Sequence, residues 1–130
     1  MLANSRLGLW GVAFVACGIA GVSWSHHSNA MFDETKVVTL EGTVRDFQWT
    51  NPHTWIQLRV MENGQEVEYS IEGRSPNALA RIGWKRTTLQ PDDKVRVTMN
   101  PLKSGERSGN VLTVVKADGT VISAREGQRP

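Results

Sequence analysis

The segment HTWIQLRVMENGQEVEYSIEG, residues 53–73, carries the strongest fold signal in the chain. Two stretches that alternate apolar and polar residues flank an Asn-Gly pair at 63–64. Asn-Gly is the dipeptide most typical of a two-residue hairpin turn. The alternation therefore predicts two antiparallel strands over 53–61 and 66–73, each with one buried face.

The sequence before this hairpin predicts a first strand that bends. Residues 36–49 alternate apolar and polar side chains up to Arg45, after which Phe47 and Trp49 fall out of phase. A change of phase in a strand indicates a β-bulge, which lets a sheet turn a corner. Asn-Pro at 51–52 then marks a turn, because proline supplies no backbone donor and favours an extended residue before it.

The sequence after the hairpin predicts one short helix and further strands. Residues 75–84 begin with a serine that can cap a helix and a proline at the first helical position, and a glycine lies near their end. A turn and a strand follow over 89–100, then a polar loop at 101–110, and then strands at 111–117 and 120–124. This is the element order of an OB-type barrel. We therefore predict an all-β fold, a small OB-like β-barrel of five to six strands with one short helix between strands three and four.

The N-terminal part of the sequence predicts export. An uncharged apolar run at 7–22 follows Arg6, which is the order of regions in a secretory signal peptide. The run has 16 residues, whereas a membrane span needs about 20. An uncleaved anchor is the weaker alternative. The chain is thus predicted to be periplasmic or secreted, with no membrane span once the signal is removed.

Two cleavage points fit the requirement for small residues before the cut. Ser23 and Ser25 favour cleavage before His26, which gives a signal peptide at 1–25 and a single barrel domain at 26–130. Gly18 and Ala20 favour cleavage before residue 21 equally well. The sequence leaves both open, and a cut after Trp24 is disfavoured by the large side chain.

Composition excludes several classes of protein. The single cysteine, Cys17, lies in the apolar run, so the mature chain has no disulfide and no thiolate metal site. Acylation of Cys17 as a lipoprotein is a minor alternative, because the preceding residues match a lipobox poorly. All 13 acidic residues and 14 of the 15 basic ones follow Met31, so this part is near neutral and nucleic-acid binding is not indicated. No nucleophile motif or phosphate-binding loop is present, so no enzyme is predicted.

Three histidines, His26, His27 and His53, are the candidate metal ligands. If export makes His26 the first residue, its α-amine and imidazole can chelate one metal ion together. His53 could complete an all-nitrogen site, which suits the tetragonal preference of Cu(II). His27 is a less direct ligand, because adjacent side chains of an extended segment point to opposite sides. Histidines without any function remain the simplest alternative.

A second candidate site is the aromatic corner FQWTNPHTW, residues 47–55. Its Trp49, Asn51 and Trp55 could form a small recessed ligand site at the loop that borders the usual ligand face of OB barrels. Trp84, beside two basic residues, could contribute to the same surface. The alternatives are that Trp49 and Trp55 fill the end of the barrel and that Trp84 is a surface-capping residue.

The segments HHSNAMFD (26–33), EGTVRDFQWTNPHTWI (41–56), ALARIGWKR (78–86) and LQPDDKVRVTMNPLKSGERSGNVLTVVKADG (89–119) together resemble a known family. It comprises small exported proteobacterial proteins known only as a domain of unknown function. Its pattern has a signal peptide, a His-His-Ser start, a V-x-x-F-x-W-x-N-P-H segment, Gly-Trp after the helix and a Gly-Asp turn.

The resemblance implies a periplasmic location, an OB-like barrel and cleavage before His26, but no activity. The motif positions here are His26, His27, Ser28, Trp49, Asn51, Pro52, His53, Trp55, Gly83 and Trp84. The chain departs from the pattern at Asp92, where the family has glycine, which puts the geometry of that turn in question.

The sequence thus supports two hypotheses. The first is a non-catalytic periplasmic binding protein that holds a transition metal such as Cu(II) at His26, His27 and His53. The second is a structural module that binds an envelope protein or a small ligand through the aromatic corner, without metal.

Overall fold

The computed structural model describes residues 29–127. A 3-10 helix at Asn29–Met31 is followed by strands β1 (Val38–Gln48), β2 (Trp55–Glu62) and β3 (Gln65–Glu72), helix α1 (Pro76–Arg81), and strands β4 (Lys94–Pro101), β5 (Ser108–Lys116) and β6 (Val121–Ser123). The predicted order of strands and the helix between strands three and four are confirmed. The predicted signal peptide and the pair His26 and His27 lie outside the described residues.

The strands form one sheet that closes on itself. Their order is β3-β2-β1-β4-β5-β6, and every neighbour in it is antiparallel. A parallel pairing of residues 70–72 in β3 with 108–110 in β5 closes the first five strands into a barrel. We call this parallel pairing the seam. Strand β6 pairs with residues 113–115 of β5, which follow the seam along the strand. The predicted OB-like barrel is therefore confirmed, with one extra strand.

The β2–β3 hairpin forms as its turn sequence predicts. Asn63 and Gly64 have φ values of 49° and 80°, which is the double left-handed conformation of a type I′ turn. The turn sets a register that runs without a break from Glu62 opposite Gln65 to Trp55 opposite Glu72.

The predicted bulge in β1 is also present. The β1–β2 register shifts between Val44 and Asp46, so Arg45 is the extra residue and Phe47 is brought back to the core. Gly42 is required by close packing, because a Cβ there would collide with the carbonyl of Arg59 on β2. A second register shift, between Thr98 and Met99 of β4, has no signal in the sequence.

Helix α1 closes one end of the barrel. The Ser75 hydroxyl accepts a hydrogen bond from the backbone N–H of Ala78 at 3.3 Å, and Pro76 occupies the first turn. The helix ends at Arg81, and Gly83 follows with a φ of 96°, so it is shorter than the predicted 75–84. Leu79, which is 1% exposed, joins the core.

The turn before β4 contains a non-glycine residue with a positive φ. Asp92 has a φ of 70°, in the left-handed region that glycine enters most readily and that Asp tolerates better than most residues. Its backbone N–H donates to the Val44 carbonyl at 2.8 Å, and its carboxylate lies 2.8 Å from Nη2 of Arg59. These two contacts hold Asp92 in this conformation.

The segment before β1 is fixed to the end of β4. The backbone N–H of Asp33 donates to the Pro101 carbonyl at 2.8 Å, and that of Lys103 donates to the Met31 carbonyl at 3.0 Å. Phe32 forms an antiparallel bridge with Leu102 and is 5% exposed. Within residues 29–127, no helix has the length and apolar character needed to cross a membrane.

Candidate functional site at the Asn-Pro-His corner

The loop between β1 and β2 is held against the end of β3 by backbone hydrogen bonds. The Gly73 N–H donates to the Thr54 carbonyl at 2.8 Å, and the Thr54 N–H donates to the Arg74 carbonyl at 3.2 Å. The Thr54 hydroxyl donates to the same Arg74 carbonyl at 3.0 Å. Thr54 is 1% exposed, so the base of this corner is rigid and buried.

Gly73 is needed for this close approach. A Cβ at this position would collide with the hydroxyl of Thr54. Any side chain would push the end of β3 away from the corner, and with it the Gly73 carbonyl that lies behind His53. Gly73 is therefore required for the position of the acceptor that contacts His53.

Two hydrogen-bond acceptors orient His53. One is Glu72, the last residue of β3, and the other is the carbonyl of Gly73. Its Nδ1 lies 3.0 Å from Oε1 of Glu72 and 3.2 Å from the Gly73 carbonyl oxygen. The Glu72 side chain is 9% exposed, and the imidazole is 32% exposed. Because both neighbours accept hydrogen bonds, the ring proton belongs on Nδ1, which leaves the lone pair on Nε2.

No other described residue uses the open nitrogen of His53. The hydrogen bonds of this ring within residues 29–127 all involve Nδ1. A partly exposed imidazole with its Nδ1–H bound to a carboxylate and its Nε2 open has the arrangement typical of a metal-ligating histidine. It can equally accept a hydrogen bond from a ligand.

The described residues do not complete a metal site. Among residues 29–127, no group of three His, Cys, Asp or Glu side chains could hold a metal ion. His26 and His27, the other predicted ligands, lie outside this range. A metal ion at His53 would therefore take its remaining protein ligands from outside the described residues.

Two of the four predicted aromatic and amide ligand residues support the barrel end. The Trp84 ring is 2% exposed, and its Nε1 donates to the Ser123 carbonyl at 2.7 Å. Trp49 is half-buried and contacts Phe47 edge-on, with ring centroids 5.7 Å apart. Phe47 also packs on Trp84 at 5.9 Å. The prediction that Trp84 contributes to a ligand surface is corrected, because its ring lies in the core.

Trp55 and Asn51 have the accessibility that a ligand site requires. Ile56 and Leu58 are 1% and 0% exposed and point inward. The alternation of β2 therefore puts Trp55 on the outer face, where it is half-buried. Asn51 is exposed in the loop. These two residues, unlike the buried Trp84, can meet a ligand at the barrel surface.

Sequence reasoning missed Glu72, the carboxylate that orients His53. A signal for it was present, because a two-residue turn at 63–64 pairs positions whose numbers add up to 127, and this sets Trp55 opposite Glu72. The alternation around Ile71 further puts Glu72 on the outer face. The contact with His53 itself depends on the shape of the loop, which the sequence does not specify.

These features define a small closed β-barrel of the OB type, with a histidine–carboxylate pair at the corner between its first two strands. The chain belongs to a family of unknown function (DUF6152), whose profile matches residues 14–112. Comparison with curated proteins and with solved structures finds no match.

Proposed function

We propose that the chain is an exported, non-catalytic binding protein that holds a transition-metal ion, Cu(II), with the Nε2 atom of His53 as one ligand. The observation that carries this proposal is the contact between His53 and Glu72, at 3.0 Å. A buried carboxylate on Nδ1 fixes the tautomer and ring orientation and raises the basicity of the other nitrogen.

The remaining ligands in this proposal come from the mature N-terminus. With His26 as the first residue, its α-amine and imidazole supply two nitrogen donors, and His27 assists. Imidazole and amine nitrogens bind Cu(II) more readily than they bind Mg²⁺ or Ca²⁺, because those two ions prefer oxygen ligands. In this proposal the role of the chain is to hold the ion.

The path of the N-terminal segment is the most demanding requirement of the proposal. Phe32 pairs antiparallel with Leu102, so residues 29–31 run past the end of β4 toward the β4–β5 loop. The three residues from 26 to 28 span about 10 Å at most when extended. They would have to turn back across that loop toward the β3 end of the sheet.

A copper titration of the processed protein tests this function. Intact mass first establishes that His26 is the first residue. We expect His26→Ala and His53→Ala each to weaken Cu(II) binding, while Asn51→Ala, an exposed residue of the same loop, serves as the matched control and leaves it unchanged. Equal affinity in the native protein and both histidine variants would refute the proposal.

A second candidate function needs no metal. In it, the corner and the adjoining sheet face bind a ligand or a partner in the cell envelope. It is supported by the outward position of Trp55 and the exposure of Asn51. A Trp55→Ala variant that retains binding of the ligand would count against it.

A further inference from the structure

The outer face of four strands carries two rows of side chains that are direct cross-strand neighbours. Alternation along each strand turns all of them away from the core. The first row contains Gln48, Trp55, Glu72 and Asn110, and the second contains Asp46, Gln57, Ser70 and Ser108. We call these eight residues the outer-face grid.

Much of the hydrogen-bonding capacity of the grid is unused. Gln57 is only 8% exposed, yet its amide makes no hydrogen bond within residues 29–127. The one fully enclosed side-chain nitrogen or oxygen without a partner in this range is Nε of Arg59, so the Gln57 amide opens outward. The side chains of Gln48, Asp46 and Asn110 likewise make no hydrogen bond to any described residue.

The charge of the grid disfavours an anionic ligand. It contains two carboxylates, Asp46 and Glu72, and no Lys or Arg. Two arginines beside the grid are already paired, with Nη1 of Arg45 lying 3.1 Å from Glu68 and Nη2 of Arg107 lying 3.1 Å from Glu62. Arg74, two residues beyond Glu72, is exposed and makes no ion pair or side-chain hydrogen bond within residues 29–127. A phosphate or sulfate bound over the grid itself would meet no grid guanidinium and would be repelled by the two carboxylates.

We propose that the outer-face grid binds a neutral oligosaccharide. The Trp55 ring offers a flat apolar surface to the C–H face of a sugar ring, and the amides of Gln48, Gln57 and Asn110 can each donate to and accept from hydroxyl groups. Three strand spacings separate Gln48 from Asn110, or about 14 Å. This length suits more than one sugar ring.

The inference names the ligand class for the metal-free second function and rests on it, whereas it is independent of copper. The grid lies on the face formed by strands two and three, where OB barrels commonly take oligonucleotides or oligosaccharides. The two carboxylates of the grid and its lack of Lys and Arg favour the oligosaccharide.

An oligosaccharide array tests the ligand class. The processed protein, with EDTA present, is applied to an array that carries neutral, carboxylated and sulfated glycans, with spermidine tested separately as a cationic competitor. We expect binding to neutral glycans only. Trp55→Ala should weaken the strongest interaction by about tenfold or more, as for truncation of a central aromatic contact, and Gln57→Ala should weaken it as well.

Gln65→Ala is the matched control, because Gln65 is an exposed amide at the hairpin turn outside the grid. It should bind as the native protein does, and circular dichroism should show that all three variants are folded. Binding of sulfated or carboxylated glycans that depends on Trp55 would overturn the neutral class, and binding of spermidine alone would overturn the saccharide class, but either would keep the second function. An empty array would contradict the saccharide proposal alone, whereas glycan binding that survives Trp55→Ala would contradict both.

Discussion

At the scale of single residues, the contact between His53 and Glu72 is the feature that gives the corner a chemistry. Glu72 is nearly buried on the outer face of a sheet, where a solvated side chain would be usual. The cost of covering a carboxylate is offset by its hydrogen bond from His53. The pair thus combines a fixed ring with an open nitrogen.

Replacing Glu72 with Gln tests this role directly. The amide oxygen still accepts a hydrogen bond, but the negative charge that raises ligand basicity is lost. We expect Cu(II) affinity of the processed protein to fall by about 10- to 100-fold, the range for loss of such a supporting contact. Glu68→Gln, on the same strand and exposed, is the control, and equal losses in both variants would contradict the assignment.

A second residue-scale prediction concerns the carboxylate of Glu62. The Tyr69 hydroxyl donates to it at 2.6 Å and lowers its pKa, and Arg107 lowers it further. A lowered folded-state pKa adds stability above the unfolded value, near 4.5, and this contribution is lost as the pH falls through the folded pKa. We therefore expect Glu62→Gln to be less stable than the native protein at neutral pH and to lose less stability on acidification.

Urea unfolding at several pH values between 7 and 3 measures this difference. Glu66→Gln is the matched control, because Glu66 makes no ion pair or side-chain hydrogen bond within residues 29–127. Parallel stability curves for native protein and Glu62→Gln would show that the contact with Tyr69 does not survive in solution.

At the scale of elements, local sequence predicted the hairpin register, the bulge and the start of the helix. The Asn-Gly turn fixed the β2–β3 register, the change of phase at Arg45 marked the bulge, and Ser75-Pro76 marked the helix start. The helix end was placed too late, because Gly83 terminates the turn after the helix rather than the helix itself. Strand β5 begins at Ser108 rather than 111, since its first residues pair with distant β3 and carry no apolar alternation.

The hairpin turn supplies an element-scale prediction. Gly64 adopts a φ of 80°, so Gly64→Ala should destabilise the fold by about 1–2 kcal/mol through left-handed strain. Gly64→Asn should cost less, because Asn enters this region more readily than Ala. Urea unfolding of both variants measures the difference, and equal stability of the two would contradict a type I′ turn.

At the scale of the whole molecule, closure of the barrel could not be read from the sequence. The seam joins Ser70 to Ser108, where the Ser108 hydroxyl donates to the Ser70 carbonyl at 2.6 Å. Parallel pairing across so many residues leaves no local turn signal. For the same reason the outer-face grid was missed: its β5 members, Ser108 and Asn110, join only when the seam closes, and the sequence had indicated a loop for both.

Asn100 links three distant parts of the chain and supplies a whole-molecule prediction. Its amide donates to the Lys36 carbonyl at 2.7 Å and accepts from Nη2 of Arg125 at 2.7 Å. Because Asn100 is 3% exposed, Asn100→Ala removes two hydrogen bonds made by a buried side chain and should cost about 1–3 kcal/mol. Hydrogen exchange should rise in residues 31–37 and near Arg125. Asn110→Ala, on the neighbouring strand, should change neither.

The central claim is that His53 ligates Cu(II) through Nε2 in the processed protein. Electron spin-echo envelope modulation detects the remote nitrogen of each copper-bound imidazole. For the 1:1 copper complex, we predict that the spectrum of the native protein contains the contribution of one more imidazole than that of His53→Ala. Identical spectra for the two proteins would contradict the claim.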